Sequence, residues 1–329
     1  MKKISFMIAL CLSLLTSCDK LTNPTEVSYG WVLQREKQDD ISYYSIFFSD
    51  KNNGWIVGSG GTIKNTKDGG NTWESQKSGV SANLWDIRFI DNLHGWICGA
   101  NNIILKTLDG GKSWKNISPP SSQNKIFVTM NFIDENNGWI SNNYGEILRT
   151  TDGGLSWELK KSGHVGGSQL SVFDPNTVYA LSGKLYKTIN GGETWDSTKV
   201  SIPKNYRVSE MFFINSSHGW MITENGTGGM MITEYPVIIT NDGGETCSSS
   251  EFLKEGGLRC IYFINENIGW VAGTQNIYKT IDGGKKWSFE FSPSNGELFA
   301  KDMYFIDENN GWIINWNGKI YKYQNRLHQ

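Results

Sequence analysis

The sequence predicts an all-β fold: a single seven-bladed β-propeller with four-stranded antiparallel blades, its last blade closed by an N-terminal strand. Three observations predict it. A Gly-Trp pair recurs at 54–55, 95–96, 138–139, 219–220, 269–270 and 311–312, with Val178-Tyr179 filling the fourth place; a period of 40 to 50 residues is the mark of propellers and arrays. Behind each of the first six pairs comes a second motif, from TKDGGNTW at 66–73 to TIDGGKKW at 280–287. The 37 Gly and 14 Trp against 7 Pro then fit many turns between aromatic-rich strands.

The elements follow in chain order. Lys2 and Lys3 form a positive n-region, and Ile4 to Leu15 is an apolar run of signal-peptide length, too short to span a bilayer. It ends in Leu15-Thr16-Ser17-Cys18, which resembles the bacterial lipobox. Residues 1–17 are therefore expected to be a lipoprotein signal peptide, with Cys18 the lipidated mature N-terminus. Residues 18–30, polar and carrying Pro24, read as a tether to a propeller over 31–323, and 324–329 as a tail. No later stretch approaches the roughly 18 apolar residues of a spanning helix, so the lipid is the expected membrane attachment and the bacterial cell envelope the expected location.

Within a unit, the residues before Gly-Trp alternate as strands do, for example Asp86-Ile87-Arg88-Phe89-Ile90, giving the innermost strand. Gly-Trp-Ile-Val opens a second strand, Thr62 to Thr66 a third, and the segment after the second motif a fourth. The seventh unit lacks its second motif. Trp31 lies 24 residues before Trp55, close to the 23 between Trp73 and Trp96, so Trp31 to Arg35 takes the missing fourth-strand position beside Ile320 to Tyr323. Closure removes the exposed edges of an open array.

The second motif resembles the Asp-box, or BNR, repeat. Its Asp accepts bonds from following amides, its two Gly supply positive φ, its Thr or Ser ties the loop, and its Trp plugs the hydrophobic layer. Asp68, Asp109, Asp152, Asn190, Asp242 and Asp282 are thus read as scaffold, as the resemblance also implies. The whole unit resembles the photosystem II assembly and stability factor family of seven-bladed propellers, over residues 31 to 323. It departs at Val178-Tyr179 and at Cys247, which replaces a box Trp. Members act by binding and assembling proteins, so the resemblance implies a binding scaffold.

A site is expected on the face shared by the loops around the central channel. Trp220 and Cys247 are 27 apart where the other units show 18, so nine residues are inserted in unit five, around Glu224 to Met231. Ten residues before the motif aromatic stand Ser45, Asp86, Thr129, Gln169, Glu210, Cys260 and Asp302, expected as a polar channel lining. Near the strand starts sit Trp85, Arg207, Arg259 and Lys301, with Trp316 in a turn of unit seven. Trp85, Asp86, Arg207, Glu210, Glu224, Arg259, Lys301, Asp302 and Trp316 form the candidate binding face.

Net charge −2 and pI about 6.1 give no nucleic-acid-binding surface. Three cysteines of the folded part (Cys98, Cys247, Cys260) and four scattered histidines show no metal-ligand spacing, and no cofactor motif is present. The expected function is a non-catalytic envelope lipoprotein that binds another envelope protein or a peptide segment. The alternative is a glycan-binding or glycan-hydrolysing propeller of sialidase or xyloglucanase type, with Asp86, Glu210 and Asp302 as its carboxylates. Against the alternative stand the absence of the Arg-Ile-Pro motif and the presence of one propeller rather than two.

Overall fold

The computed structural model describes residues 30–35, 41–119, 124–162, 169–226, 234–254 and 257–324. Cys18, the signal peptide and most of the tether lie outside the described residues, as do 227–233 of the unit-five insertion and 325–329 of the tail.

Seven four-stranded antiparallel sheets are arranged as blades. Blade one is Tyr43–Phe48, Gly54–Gly58, Ile63–Thr66 and Glu74–Gln76, from the inside outward, and blades two to six repeat that order. Blade seven is Ala300–Asp307, Asn310–Asn315 and Ile320–Gln324, completed by Gly30–Arg35 from the other end of the chain. Trp31 pairs with Tyr323 and Leu33 with Tyr321, the closure that the motif spacing predicted. The strands of the ring extend one residue beyond the sequence boundary at each end, to Gly30 and Gln324. Each innermost strand touches the innermost strands of both neighbouring blades, the first and seventh included, so the ring is closed.

The Gly-Trp pair turns out to be a clasp between blades. Its Gly stands directly across from a Phe of the innermost strand, as Gly95 does from Phe89. A Cβ on Gly95 would lie 2.5 Å from the Phe89 ring, so only glycine lets the ring lie flat over the strand. The Trp then stacks on the Phe of the next blade: Trp55 on Phe89 at 3.8 Å, Trp96 on Phe132 at 3.9 Å, Trp220 on Phe263 at 3.6 Å. Trp312 stacks on Phe48 at 3.5 Å across the closure. Its indole N–H donates to the Gly69 carbonyl in the box of blade one at 3.0 Å, and Trp96 donates likewise to Gly153. The box tryptophans join them in the layer between sheets: Trp287 is buried, and Trp73, Trp114 and Trp157 are half-buried and meet the same Phe rings edge-on.

Blade four departs in a coupled way. Val172 stands where the Phe would be, and Val178 replaces the Gly directly across from it. Trp139, in blade three, therefore has no Phe to stack on, and its indole N–H finds no acceptor among the described residues.

The box works as a hydrogen-bonded loop. In the first, Gly70 donates its amide to Thr66 Oγ1 at 2.8 Å, and Thr72 donates its amide and hydroxyl to Asp68 at 2.8 and 2.6 Å. Asp109, Asp152 and Asp242 repeat these bonds; Asn190 accepts the Thr194 amide but donates its own side-chain amide to the Thr194 hydroxyl, and Asp282 faces Lys286 and accepts its amide. The Thr246 hydroxyl and amide hold the Asp242 carboxyl down at about 2. These carboxylates are consumed by their own turns.

Candidate functional site

Every innermost strand starts at one end of the ring, called the mouth here, and the Asp boxes turn at the other. A cavity of about 610 Å³ follows the axis. It is lined by Ser45, Asp86, Thr129, Gln169, Glu210 and Asp302, six of the seven positions read as a polar column. The seventh, Cys260, is buried.

The column does more than line the channel, because most of its members bind the backbone of the next blade. Asp302 accepts from the Ile46 amide at 3.0 Å, Asp86 from Met130 at 2.8 Å, and Gln169 from Met211 at 2.8 Å. Glu210 accepts from the Ile261 amide. In each case the donor sits one residue past the neighbour's own column position, so the bonds form a staircase around the ring. Asp86 also takes the hydroxyls of Ser45 at 3.1 Å and Thr129 at 3.0 Å, tying three blades together.

Two residues further along each strand lies a second ring that the sequence reading did not single out. It reads Phe47, Arg88, Asn131, Ser171, Phe212, Tyr262 and Tyr304 around the axis. Four aromatics from blades five, six, seven and one pack in an arc, with Phe212 to Tyr262 at 4.7 Å, Tyr262 to Tyr304 at 5.3 Å and Tyr304 to Phe47 at 5.0 Å. The opposite arc is polar, and Arg88 reaches to 3.3 Å from Asp86. Burial works against the Arg88 charge, and Asp86 and Asp302 more than offset it. Burial first, and then the Asp302 charge, push Glu210 up to about 8, so that its carboxyl is protonated at neutral pH. Burial likewise raises Asp302 above the usual carboxylate range, with Arg88 opposing it.

At the mouth the predicted Trp85, Lys301 and Trp316 come together with Tyr44, which the sequence reading had passed over. Tyr44 stacks on Trp85 at 4.3 Å, with 14° between the planes, and meets Trp316 edge-on at 5.6 Å. Lys301 Nζ lies 5.0 Å from the Trp316 ring centre. Arg259, at the same strand position as Lys301 but on blade six, is exposed. Arg207 and Glu224 are not brought to this cluster. The unit-five insertion lengthens the first hairpin of its blade, where the two residues face each other and pair at 2.8 Å. Where the described chain resumes, Glu234–Tyr235 pairs with Leu253–Lys254, and Tyr235 and Leu253 are buried in the core between blades five and six.

Charged side chains of both signs line the two ends of the ring. At the Asp-box end the turns before Gly-Trp are capped by Asp50, Asp91, Asp134, Asp174 and Asp307, and by Asn215 and Asn265. The boxes there also carry exposed Lys67, Lys112, Lys285 and Lys286, and among the described residues the mouth end carries Lys204, Lys254, Arg259, Lys301 and Lys319 beside Glu224, Glu234 and Glu297. Among the described residues no group of His, Cys, Asp and Glu is arranged to hold a metal ion.

Over residues 24–324 the chain matches the profile of the family described as Photosynthesis system II assembly factor YCF48. Among solved structures it resembles one described as "YCF48 bound to D1 peptide", with TM-score 0.73 and 22% identity, covering 91% of this chain and 98% of that one. "YCF48 from Cyanidioschyzon merolae" gives TM-score 0.71 at 19% identity, covering 90% and 98%. A streptogramin B lyase structure gives 0.69 at 13%, covering 89% and 97%. Identities this low speak to the fold alone. No curated protein matches the chain.

Proposed function

The chain belongs to the Photosynthesis system II assembly factor YCF48 family, and we propose that it is a non-catalytic envelope scaffold, lipid-anchored through Cys18, that binds a segment of another protein at the channel mouth. The observation that carries this reading is the contrast between the two sets of polar groups in the ring. The channel acids are committed to holding the ring together: Asp86, Asp302 and Glu210 each accept a backbone amide of the neighbouring blade. A glycosidase needs a pair of carboxyl groups free to act on a glycosidic bond and a water. The mouth, by contrast, offers aromatic faces and cations to whatever arrives. The YCF48 structure with a D1 peptide supports a peptide as the kind of partner.

Strand polarity supports the placement of the anchor. Gly30 pairs with Gln324, at the Asp-box end of blade seven, so the chain enters the ring on that side. Affinity capture from the native envelope, run beside a panel of chromogenic glycosides, tests the scaffold reading. A co-purifying protein and no glycoside turnover are expected. Turnover that disappears in Glu210→Gln or Asp302→Asn would overturn the reading in favour of an enzyme. Cys18→Ser should abolish labelling by a fatty-acid analogue, and unchanged labelling would contradict the anchor.

A further inference from the structure

We infer that the sector of the mouth spanning blades six, seven, one and two is a docking site for an extended peptide that presents an aromatic side chain beside carboxylates. The inference rests on the scaffold reading above and gives it a location and a chemistry.

The aromatic part of the site is a platform already built. Trp316 is 40% exposed at the tip of its turn, and Phe299, next to it, is 37% exposed. The Trp316 amide donates to the Phe299 carbonyl at 3.3 Å, which fixes the turn against the segment leading into the innermost strand of blade seven. Phe299 has φ of 45°, a left-handed conformation that costs a bulky residue energy and holds it at the surface. Behind Trp316, Tyr44 and Trp85 are locked face to face. A partner ring would cover apolar surface now wetted, and would do so without ordering a loop, which keeps the entropic cost of binding low.

The charged part lies at the rim. Arg259 makes no ion pair among the described residues, and Lys301 is held over the Trp316 ring. Below the rim, Asp302 is held by the Ile46 and Met303 amides and Glu210 is protonated near neutral pH, and at the rim Glu297 stands exposed two residues before Phe299, leaving Arg259 as the cation most open to a partner. Arg207 adds nothing, being paired with Glu224. Lys301 on the Trp316 ring and Arg259 at the same position of the neighbouring blade favour a partner that brings carboxylates with its ring. A neutral sugar would use the Trp316 face but leave both cations unanswered.

The test uses the full chain and three synthetic peptides read by isothermal titration. The probe is acetyl-Ser-Glu-Tyr-Asp-Phe-Glu-amide; one control replaces its acids by Lys and the other its rings by Ala. The probe should bind, with either control at least about tenfold weaker. Lys301→Glu or Trp316→Ala should weaken the probe by about tenfold, the order expected for losing one good contact of about 1.4 kcal/mol. Lys285→Glu, on the Asp-box rim, should leave binding unchanged. Equal binding of the basic control, an equal loss in Lys285→Glu, or no binding of the probe would each overturn the inference. Affinity capture separates this failure from that of the scaffold reading. A partner retained by wild type and by the Lys301→Glu and Trp316→Ala variants alike means the scaffold stands and this site is wrong, whereas no partner with wild type means the scaffold reading itself fails.

Discussion

Burial keeps the Glu210 carboxyl protonated up to about pH 8, far above the 4.5 of a free glutamate. Between those values the unfolded chain has lost the proton and the folded chain still holds it, so stability falls as pH rises through this window. Below 4.5 the penalty is absent, and above 8 it is complete. Glu210→Gln keeps an acceptor for the Ile261 amide and cannot ionise; its melting temperature should exceed wild type by more at pH 9 than at pH 5, as differential scanning calorimetry would show. A gain that is flat with pH would contradict the assignment. Asp86 contributes through its bonds. It is 3% exposed and joins three blades while neutralising Arg88. Asp86→Ala should cost about 2 to 3 kcal/mol in denaturant unfolding, since it leaves buried amides and hydroxyls without their acceptor, and Asp86→Asn should cost less because one of the two acceptor oxygens survives.

The cross-strand pair of Phe and Gly explains a departure that the sequence alone showed only as an irregularity. Val178 was legible as a missing Gly, but its cause, Val172 directly across the hairpin, becomes visible only when register is known. Phe at 172 needs the space that Gly would leave at 178, and Gly at 178 needs the ring that Phe would supply. Val172→Phe and Val178→Gly should each destabilise, by about 1 to 3 kcal/mol from overpacking in the first case and a lost side chain in the second, and the double variant should recover much of the loss. Additive losses would contradict the clasp. Repetition made the ring, its closure and the polar column readable, because a fixed spacing in a repeat maps to a fixed place in a blade. The same spacing moved on by two residues gives Phe47, Phe212, Tyr262 and Tyr304, so the aromatic arc was within reach of the same method. The staircase from Asp302 to Ile46, and the Trp85 to Tyr44 stack, join residues of different blades, and no local pattern in either segment reports them.

Across the whole molecule, closure and polarity are the two properties on which function depends. Trp31 packs edge-on against Phe305 and shares Glu290 with Trp270, both indoles donating to its carboxylate at 3.0 and 2.9 Å. Removing Gly30 to Arg35 would expose the edge of Ile320 to Gln324 and should lower the melting temperature by at least 5 °C or so; an unchanged melt would mean the ring does not need its N-terminal strand. Polarity sets the mouth against the Asp boxes, and the central claim is that the partner meets the mouth. The most direct measurement is site-specific photo-crosslinking in the native envelope, with a photoreactive amino acid placed at Asn317 beside the Trp316 platform or at Ile189, 69% exposed in an Asp box. A crosslinked protein band is expected from position 317 and none from position 189. Crosslinks from 189 with 317 silent would contradict it.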